Sequence, residues 1–501
     1  MSTPVFTKIV ATIGPSSSSA ERLNELLDAG VDVCRLNFSH GDLAEHGRVL
    51  ERIREWSRRR ERAVAVLGDL CGPKIRLNRV DTPGTRLAVG AEIRIERGDA
   101  PCTAERLTTS YDRLVDEVQE GHRLYIDDGL VKLMCVDKEP DALVCRCTVG
   151  GAISTRKGIN LPDTSLSVRA LGEKDERDLR WAIQNELDYV ALSFVRRPAD
   201  LEAVREILAR SSARTQVIAK IEKSEALSQL DEIIALSDGV MVARGDLGVE
   251  MDLWRVPLVQ KDITLRCRAA GVPVIIATQM LQSMVSSPMP TRAEVSDVAN
   301  AILDSADAVM LSAETAAGEY PEHAVDMMRR VAQVTEAFVR SAEPRTTAAV
   351  GMAPRIASPS AVSAIAAAAV AAARDIHAKL VALWTATGAT ARLIAQHRPM
   401  MPIVGFTHDE RTYRSLALIR GVTPQRVDAV SNPAQQVRAV EDCLLASGLA
   451  QAGDPIVFVT STRPTQAGAT DTVLVHHLRG EPAARDSHAV AARRTEKPAP
   501  A

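Results

Sequence analysis

Four stretches of the sequence set two polar or charged residues two positions apart at the end of a short apolar run. The stretch QVIAKIEKSEAL, residues 216–227, is one of them, with Lys220 and Glu222 near its middle. Residues i and i+2 of a β-strand lie on the same face, so both side chains are expected to leave a sheet side by side. The four pairs are Arg35/Asn37, Lys220/Glu222, Arg244/Asp246 and Ser312/Glu314.

These residue types suit the chemistry of a phosphoryl group. Glu222 and Asp246 are candidates for two carboxylate ligands of Mg²⁺, with water and substrate oxygens completing the shell. Arg35 and Lys220 supply positive charge for a phosphoryl group during transfer. Gly245 permits close backbone approach, and the amides that follow it suit a substrate carboxylate. The pattern indicates a Mg²⁺-dependent enzyme for a small phosphorylated carboxylate; the simpler alternative is a set of ion pairs closing a barrel.

Such a site needs a fold that gathers the ends of several strands. Eight β-branched runs alternate with helical patterns, which predicts an α/β (β/α)₈ TIM barrel with its chemistry at the C-terminal strand ends. An open doubly wound sheet is the alternative, because counting strands does not prove closure. The eight runs are KIVATIG, VDVCRLNFS, AVAVLGD, DYVALSF, QVIAKIE, GVMVARGD, PVIIATQM and AVMLSAET.

The remaining segments divide the chain into further domains. After the third run the sequence pattern changes to short strands with Gly and Pro turns, which predicts an all-β insert that forms a barrel-like lid. A polar, Pro-containing stretch near Glu343 precedes an Ala-rich α/β region, and the end of the chain has no periodic pattern. We expect a catalytic barrel in 1–72 and 169–343, a lid in 73–168, a C-terminal α/β regulatory domain in 344–478 and a disordered tail in 479–501.

Charge and hydropathy exclude some classes of partner. The 61 basic and 64 acidic residues give a net charge of −3, so no global field attracts nucleic acid or an anionic membrane. No apolar run reaches the roughly 18 residues of a membrane span, and the N-terminus lacks a signal-peptide pattern. The eight cysteines form no CxxC motif and are expected to be structural thiols. A cytoplasmic protein without nucleic-acid or membrane partners is the expectation.

At these residues the sequence closely resembles the pyruvate kinase family, in the family's order across almost all of residues 7–478. The matching segments are TKIVATIGPSS, CRLNFSHG, GDLCGPKIR, IAKIEKSEA, MVARGDLGVE, ATQMLQSM, PMPTRAEVSDVANAILD and DAVMLSAETAAGEYP. The resemblance implies transfer of a phosphoryl group from phosphoenolpyruvate to ADP, giving pyruvate and ATP in glycolysis with Mg²⁺ or Mn²⁺.

Residue roles follow from the matching motifs. The resemblance implies that Lys220 stabilises the transferring phosphoryl group, that Arg35 contacts it, and that Glu222 and Asp246 hold Mg²⁺. Gly245, Asp246 and Thr278 would line the rest of the phosphoenolpyruvate site, with Thr278 on the proton-transfer side. The implied nucleotide-binding residues are Asn37, Phe38, Ser39, His40, Arg76 and Lys157. The last two frame the insert, which is expected to close over ADP and exclude water.

One departure from the family bears on the requirement for K⁺. Many pyruvate kinases need K⁺ and carry a third-strand motif resembling D-T-K-G-P-E-I-R, whereas this chain has DLCGPKIR, so Lys74 replaces an acidic residue. We predict that the Lys74 ammonium substitutes for K⁺; the alternative is that Lys74 only pairs with an acid in the hinge. A monovalent-cation site remains possible, formed by Asn37, Ser39, Asp69 and Leu70.

The third domain contains a hydroxyl-rich turn, TATGATARLIAQ, that leads into a predicted helix. This layout suits a phosphate, and its ordinary alternative is a helix cap. In the family the corresponding region binds phosphorylated allosteric effectors, and members are usually homotetramers, so AMP or a sugar monophosphate is the expected effector. The candidate effector residues are Thr385, Thr387, Gly388 and Thr390.

Two other functions remain open at this point. A Mg²⁺-dependent pyruvate or phosphoenolpyruvate aldolase uses a similar barrel, with Lys220 as a Schiff-base amine. The neighbouring Glu222 disfavours that role, because a carboxylate keeps a lysine protonated. A non-catalytic metabolite-binding scaffold would require a degraded catalytic set, whereas Lys220, Glu222, Asp246, Arg35 and Thr278 are all present.

Overall fold

Eight parallel strands close into a barrel in the computed structural model, which describes residues 5–346, 360–430, 432–463 and 470–479. In chain order the strands are Lys8–Ile13, Val33–Asn37, Ala65–Asp69, Tyr189–Leu192, Gln216–Ile221, Gly239–Ala243, Val274–Ala277 and Ala308–Leu311. Each pairs with its neighbours in order, and the first pairs with the eighth. The ladder between the third and fourth strands is continuous, although residues 70–188 separate them in sequence. The predicted TIM barrel is therefore confirmed, and the open sheet is excluded.

The apolar residues on both faces of the strands explain why the sheet is stable as a closed barrel. Strand side chains such as Val10, Ile218, Met241, Ile275 and Met310 fill the interior of the barrel. Side chains of the opposite face pack against the surrounding helices in a separate core, so each strand is buried on both faces, as parallel strands require. The main barrel helices are Ala20–Asp28, Leu43–Arg60, Glu173–Gln184, Pro198–Arg210, Leu230–Ala235, Val256–Ala270, Arg292–Leu303 and Pro321–Thr346.

The insert between the third and fourth barrel strands has its own core, which includes Leu77, Ile93, Leu124 and Leu143. Its strands form a six-stranded sheet and a two-stranded ribbon, with one helical turn at Leu114–Glu117. The strands are Arg86–Leu87, Glu92–Glu96, Arg106–Thr108, Arg123–Ile126, Val131–Lys138, Ala142–Val149, Gly151–Ala152 and Ile159–Asn160. The insert is essentially all-β, and its closure into a barrel stays a prediction.

A buried polar contact joins the insert to the barrel. Glu250 Oε1 accepts hydrogen bonds from Lys223 Nζ at 2.6 Å and from Asn160 Nδ2 at 2.9 Å. Lys223 follows the fifth barrel strand, whereas Asn160 belongs to the last strand of the insert. One carboxylate therefore fixes the insert against the C-terminal mouth of the barrel.

The C-terminal domain is a five-stranded sheet with helices, and it closes the opposite mouth of the barrel. Tyr413 and Leu418 share a core with the barrel interior, and the Tyr189 hydroxyl donates to the Ser415 carbonyl at 2.7 Å. Its strands are Leu380–Trp384, Ile403–Thr407, Val422–Arg426, Pro455–Thr460 and Thr472–His477, of which the last is antiparallel. Its helices are Ala361–Asp375, Ala389–Gln396, Glu410–Ser415 and Pro433–Ala446.

The domain boundaries expected from composition lie partly outside the described residues. Helix Pro321–Thr346 continues through the boundary expected at residue 343. Residues 347–359 of the expected connection and residues 480–501 of the expected tail lie outside the described part of the chain. All eight cysteines are free thiols. Among the helices that the structure describes, none has both the length and the apolar character of a membrane span.

Candidate active site

The Lys220 ammonium lies at the centre of the polar cluster in the C-terminal mouth of the barrel. Its Nζ is 2.9 Å from Glu222 Oε1 and 3.2 Å from Asp69 Oδ1. Arg35 Nε donates to the other oxygen of Asp69 at 2.7 Å. The strands that were expected to converge therefore do so: the second, third and fifth strands bring two cations and two carboxylates together.

The charges in this cluster depend on one another. Burial alone would lower the pKa of Lys220, but the Asp69 and Glu222 carboxylates outweigh it and raise that pKa above its ordinary value. Burial likewise opposes ionisation of Asp69, yet the Lys220 ammonium and the Arg35 guanidinium hold the pKa of Asp69 below its usual range. Lys220 is thus a fixed cation at neutral pH, which is the wrong protonation state for a Schiff-base amine.

Two hydroxyl groups that the sequence analysis did not select complete the cluster. Ser193 Oγ accepts a hydrogen bond from Lys220 Nζ at 2.7 Å and donates to the Leu70 carbonyl at 2.7 Å. Thr12 Oγ1 accepts from Arg35 Nη1 at 2.9 Å. Both residues lie at the ends of barrel strands, but neither has a polar residue two positions away, so a search for such pairs did not select them.

Glu222 and Asp246 form a pair of carboxylates beside this cation. Glu222 is buried, and its Oε2 accepts the Phe194 amide at 2.7 Å; Phe194 has a left-handed backbone with φ 56°. Burial raises the pKa of Glu222 to about 7; the Lys220 ammonium opposes this rise, and the Asp246 carboxylate adds to it. Two nearby carboxylates with this mutual repulsion are a fitting donor set for a divalent cation.

The number of protein ligands limits how such a cation would be held. Within the described parts of the chain, no group of three or more His, Cys, Asp or Glu side chains is arranged to bind a metal ion. A Mg²⁺ or Mn²⁺ ion at Glu222 and Asp246 would therefore take its other ligands from water and substrate oxygens, which is usual for Mg²⁺ beside phosphates.

Arg244 does not extend alongside Asp246, and the expectation for this pair is wrong. Residues Arg244–Glu250 form a helix, so a spacing of two no longer places side chains on one face. The guanidinium instead binds Asp297 at 2.7 Å and donates to the Thr278 carbonyl at 3.0 Å. Arg244 therefore holds the turn after the seventh strand in place.

That turn is strained and carries a predicted substrate residue. Thr278 and Gln279 have φ values of 68° and 55°, which non-glycine residues seldom adopt. Thr278 Oγ1 accepts the Gly245 amide at 2.8 Å and donates to the Ala277 carbonyl at 2.6 Å. The amides at the start of this helix were expected to bind a substrate carboxylate; the Gly245 amide itself donates to the Thr278 hydroxyl and orients it.

The Ser312/Glu314 pair is also not part of the cluster. Glu314 is fully buried at the start of a short helix, and its two oxygens accept the amides of Leu281 and Ser312 at 3.1 and 2.7 Å. This carboxylate satisfies backbone amides of two loops, so its role is structural.

The predicted nucleotide residues divide into exposed and buried groups. Ser39 and His40 are exposed after the second strand, and Asn37 Oδ1 accepts the Ser39 amide at 3.1 Å. Phe38 is buried, with its ring against His46 and Trp181, so its side chain packs in the core and does not face the cleft.

Arg76 and Lys157 lie on the insert, where the sequence analysis expected them. Arg76 Nη1 donates to the Arg156 carbonyl at 2.9 Å, and Lys157 Nζ is paired with Asp127 at 2.9 Å. Both hold their positions through contacts within the insert, so any contact with a nucleotide depends on where the insert lies.

Lys74 reaches toward the insert. It lies in the hinge region, and its side chain packs against Gly158 of the insert. The contact is so close that a Cβ added to Gly158 would lie 2.8 Å from Lys74 Cε. Within the described residues Lys74 forms no ion pair, so the alternative of a pair with a hinge acid is not seen. Two of the four residues expected to bind a monovalent cation already have partners, because Asp69 binds Lys220 and Arg35 and the Leu70 carbonyl accepts Ser193.

In the candidate effector loop, two of the three threonines are bonded within the domain. Thr385 Oγ1 accepts the Gly388 amide at 2.9 Å, and Thr390 Oγ1 contacts Thr470 Oγ1 at 2.9 Å. Gly388 has φ 80°, a left-handed conformation suited to glycine at the start of helix Ala389–Gln396. Only Thr387 is exposed.

Comparison with known proteins gives the same assignment over almost the whole chain. The family model "Pyruvate kinase, barrel domain" matches residues 5–325, and "Pyruvate kinase, alpha/beta domain" matches residues 363–476. A pyruvate kinase of Corynebacterium glutamicum is 42% identical over 476 residues, covering 94% of this chain and 97% of that protein. One from Geobacillus stearothermophilus is 39% identical over 481 residues, covering 94% and 80%.

A solved structure agrees in fold as well as in sequence. The crystal structure of a pyruvate kinase from Cryptosporidium parvum superposes with a TM-score of 0.88 at 34% identity, covering 95% of this chain and 96% of that one. The closed barrel, the insert after its third strand and the cluster around Lys220 are thus found in a chain that belongs to the pyruvate kinase family of phosphotransferases.

Proposed function

We propose that this enzyme transfers the phosphoryl group of phosphoenolpyruvate to ADP, giving pyruvate and ATP in glycolysis, with Mg²⁺ or Mn²⁺ as its cofactor. The observation that carries the proposal is the buried Lys220 ammonium, held between Asp69, Glu222 and Ser193 and kept charged by the two carboxylates. A fixed, desolvated cation is the group that phosphoryl transfer requires where charge develops.

Lys220 and Arg35 provide two positive charges at one end of the cluster. Asp69 binds both of them, so their positions are set before substrate arrives and little reorganisation is needed during transfer. Glu222 and Asp246 would hold the divalent cation, which when bound polarises phosphoryl and carboxylate oxygens. The protein groups thereby bind the phosphoryl group and orient it for in-line attack.

We propose that Thr278 lies on the face where the enol product is protonated. Its hydroxyl is held by the Gly245 amide and the Ala277 carbonyl, and its backbone is held by Arg244. We assign it to orienting the substrate and the proton-carrying group on that face. The insert, fixed through Asn160 and Glu250, would place Arg76 and Lys157 on ADP and exclude water while Asn37, Ser39 and His40 complete the nucleotide site.

Assembly and regulation follow the family pattern in this proposal. An exposed apolar stripe on barrel helix Val256–Ala270 and the turn before it supports a homotetramer, because a solvent-facing helix surface is ordinarily polar. The stripe consists of Trp254, Leu258 and Leu265, with exposed fractions of 77%, 70% and 61%. Activity is proposed to respond to a phosphorylated effector bound by the C-terminal domain, in a cytoplasmic enzyme.

We further propose that K⁺ is not required, because Lys74 supplies the corresponding charge. The test is pyruvate formation from phosphoenolpyruvate and ADP with Mg²⁺ in tetramethylammonium buffer, with and without K⁺. Full activity without K⁺ supports both proposals, and activity only with K⁺ removes the Lys74 role. No pyruvate in either buffer, with or without AMP and sugar phosphates, would overturn the proposed reaction.

The Lys74→Glu variant makes the cation proposal specific. Restoring a carboxylate at this position should restore a cation site, so turnover without K⁺ is expected to fall by roughly tenfold or more, as for loss of one stabilising charge, and to recover with added K⁺. Lys74→Gln is the control for loss of charge alone. If the activity of the Lys74→Glu enzyme does not depend on K⁺, the proposal that the Lys74 ammonium replaces K⁺ is excluded.

A further inference from the structure

Two buried cysteines face each other across neighbouring strands of the insert. Cys135 of strand Val131–Lys138 is the direct antiparallel partner of Cys145 of strand Ala142–Val149. Both side chains belong to the core of the insert, and both thiols are free. Among the described strands, no other two cysteines are direct partners. Neither the Lys220 cluster nor the proposed nucleotide site uses this pair.

The backbone around the pair has the geometry that a disulfide requires. The Cys135 amide donates to the His122 carbonyl at 2.9 Å, and the Cys135 carbonyl accepts the Gly121 amide at 2.8 Å. Both groups therefore point away from Cys145, which makes the two cysteines a non-hydrogen-bonded pair. Opposite Cα atoms in such a pair lie about 4.5 Å apart, with their side chains close together. Disulfides span Cα separations of roughly 4.4–6.8 Å, so a bond can form without separating the strands.

The two thiols contact each other and divide the roles that oxidation needs. The Cys145 S–H donates a hydrogen bond to the Cys135 sulfur and thereby lowers the pKa of Cys135, although burial opposes this change. The same contact, together with burial, raises the pKa of Cys145. Cys135 is thus the thiol that reaches the thiolate state, and Cys145 keeps its proton, as in pairs of an attacking and a resolving cysteine.

A break in the sheet gives a small oxidant access to the pair. The register of the two strands shifts between Cys135 and Asp137, which leaves Val136 as the extra residue of a β-bulge. Met134 and Val136 are 38% and 36% exposed on the outer face of this strand. Local opening of a bulged strand whose outer face is in water exposes a buried thiol to a molecule the size of hydrogen peroxide.

We propose that Cys135 and Cys145 form a reversible disulfide when the protein meets a peroxide. The Cys135 thiolate attacks one peroxide oxygen, so that an S–O bond forms, the O–O bond breaks and hydroxide leaves. The Cys145 sulfur then attacks the Cys135 sulfenic acid, so that the S–S bond forms, the S–O bond breaks and a second hydroxide leaves. The two hydroxides take up the two thiol protons. Two thiols are thereby oxidised by two electrons, and the peroxide is reduced to two water molecules. A dithiol reductant reverses the reaction by exchange.

The cross-link would stabilise the insert without stopping turnover. It joins two neighbouring strands and so restricts the unfolded insert more than the folded one. The Lys220 cluster lies on the barrel, and the contact between Asn160 and Glu250 that fixes the insert lies outside the linked strands. We therefore expect an oxidised insert that opens less often, in a protein with the turnover of the reduced form.

Peptide mapping of the full-length protein tests the disulfide. The folded protein is treated with hydrogen peroxide, its remaining thiols are alkylated in denaturant, and trypsin then separates residues 133–138, 139–146 and 147–156. A link between the first two peptides is expected, involving two of the eight thiols and lost after dithiothreitol. Cys147→Ala is the matched control. Cys147 is buried on the same strand and face but lies opposite Leu133, so its replacement should leave the link unchanged.

Limited proteolysis tests the consequence. Cleavage within the insert of the oxidised wild type should be at least about threefold slower than in the reduced protein, and Cys145→Ala should remove this difference. Mapping of the wild type needs no variant, so misfolding of a variant cannot imitate the link. The proposal is overturned if peroxide produces no link in the folded protein, as for thiols that serve only as core residues. It is also overturned if residues 147–156 are linked instead, or if oxidised and reduced proteins are cleaved at the same rate.

Discussion

At the scale of single residues, the chemistry depends on how Lys220 is neutralised. Three oxygens surround its ammonium, from Glu222, Asp69 and Ser193, and two of them carry charge. Asp69 also binds Arg35, so the two cations of the cluster share one counter-ion. A buried cation of this kind stays in place only because its partners are fixed, and removing any partner leaves a costly buried charge.

Replacement of Lys220 by Met should separate chemistry from metal binding. The variant removes the charge that stabilises the transferring phosphoryl group, so kcat is expected to fall by at least about 10³-fold. Glu222 and Asp246 remain, so Mn²⁺ binding, followed by electron paramagnetic resonance, should persist. Turnover within tenfold of the wild type would remove Lys220 from the reaction.

The sequence indicated the charged part of this cluster and missed its uncharged part. Lys220, Glu222, Asp69 and Arg35 were found because parallel strands bring their C-terminal ends together. Ser193 was missed because a lone serine after a strand has no pattern of its own, and its importance depends on a lysine 27 residues away. Arg244 and Glu314 were misplaced because the chain becomes helical directly after each strand.

At the scale of elements, the turn after the seventh strand and the insert are each held by a charged side chain from another segment rather than by their own sequences. The strained turn at Thr278 and Gln279 depends on Arg244, which in turn depends on Asp297 of helix Arg292–Leu303. The insert depends on Glu250, which joins Asn160 to Lys223. Neither connection could be predicted from sequence, because each joins segments more than 25 residues apart through a single side chain.

Asp297→Asn should loosen the turn that carries Thr278. The Arg244 guanidinium would lose its charged partner, so Thr278 would be positioned less well and kcat should fall by about tenfold, with little change in KM for phosphoenolpyruvate. Asp326→Asn, in an exposed ion pair with Arg330, is the matched control and should leave kcat unchanged. Steady-state kinetics of both variants decide the matter: equal kcat values would contradict a positioning role for Asp297.

Asn160→Leu should release the insert while leaving the buried Lys223–Glu250 pair intact. Because the insert is proposed to carry nucleotide-binding cations, KM for ADP is expected to rise by roughly three- to tenfold, whereas KM for phosphoenolpyruvate changes less. Asn185→Leu, at an exposed position on the barrel, controls for the substitution itself. A selective rise in KM for phosphoenolpyruvate would argue against this role of the insert.

At the scale of the whole molecule, the barrel contacts one further domain at each of its two mouths. The insert contacts the mouth that holds the Lys220 cluster through Asn160 and Glu250, and the C-terminal domain fills the opposite mouth with Tyr413 and Leu418. The division into barrel, insert and C-terminal domain could be predicted from changes in the sequence pattern along the chain. The closure of the mouth opposite the Lys220 cluster could not be predicted, because Tyr413 and Leu418 lie in a segment whose pattern is that of any amphipathic helix.

The exposed apolar stripe should be an interface between copies of the chain. Leu258→Glu combined with Leu265→Glu places two charges on that stripe, and burial of unpaired charges disfavours association. Sedimentation is expected to show a tetramer for the wild type and a smaller species for the variant, with circular dichroism unchanged because both side chains are exposed. An unchanged tetramer would place the interface elsewhere.

The continuous ladder between the third and fourth barrel strands has an evolutionary consequence. Leu67, Gly68 and Asp69 pair directly with Tyr189, Val190 and Ala191, so the ring is complete without the segment that separates them. The chain leaves and rejoins the barrel close together, since Arg76 and Gly158 form an antiparallel bridge at the base of the insert. Because the ladder does not depend on the insert, descent can lengthen, shorten or exchange the insert without opening the ring.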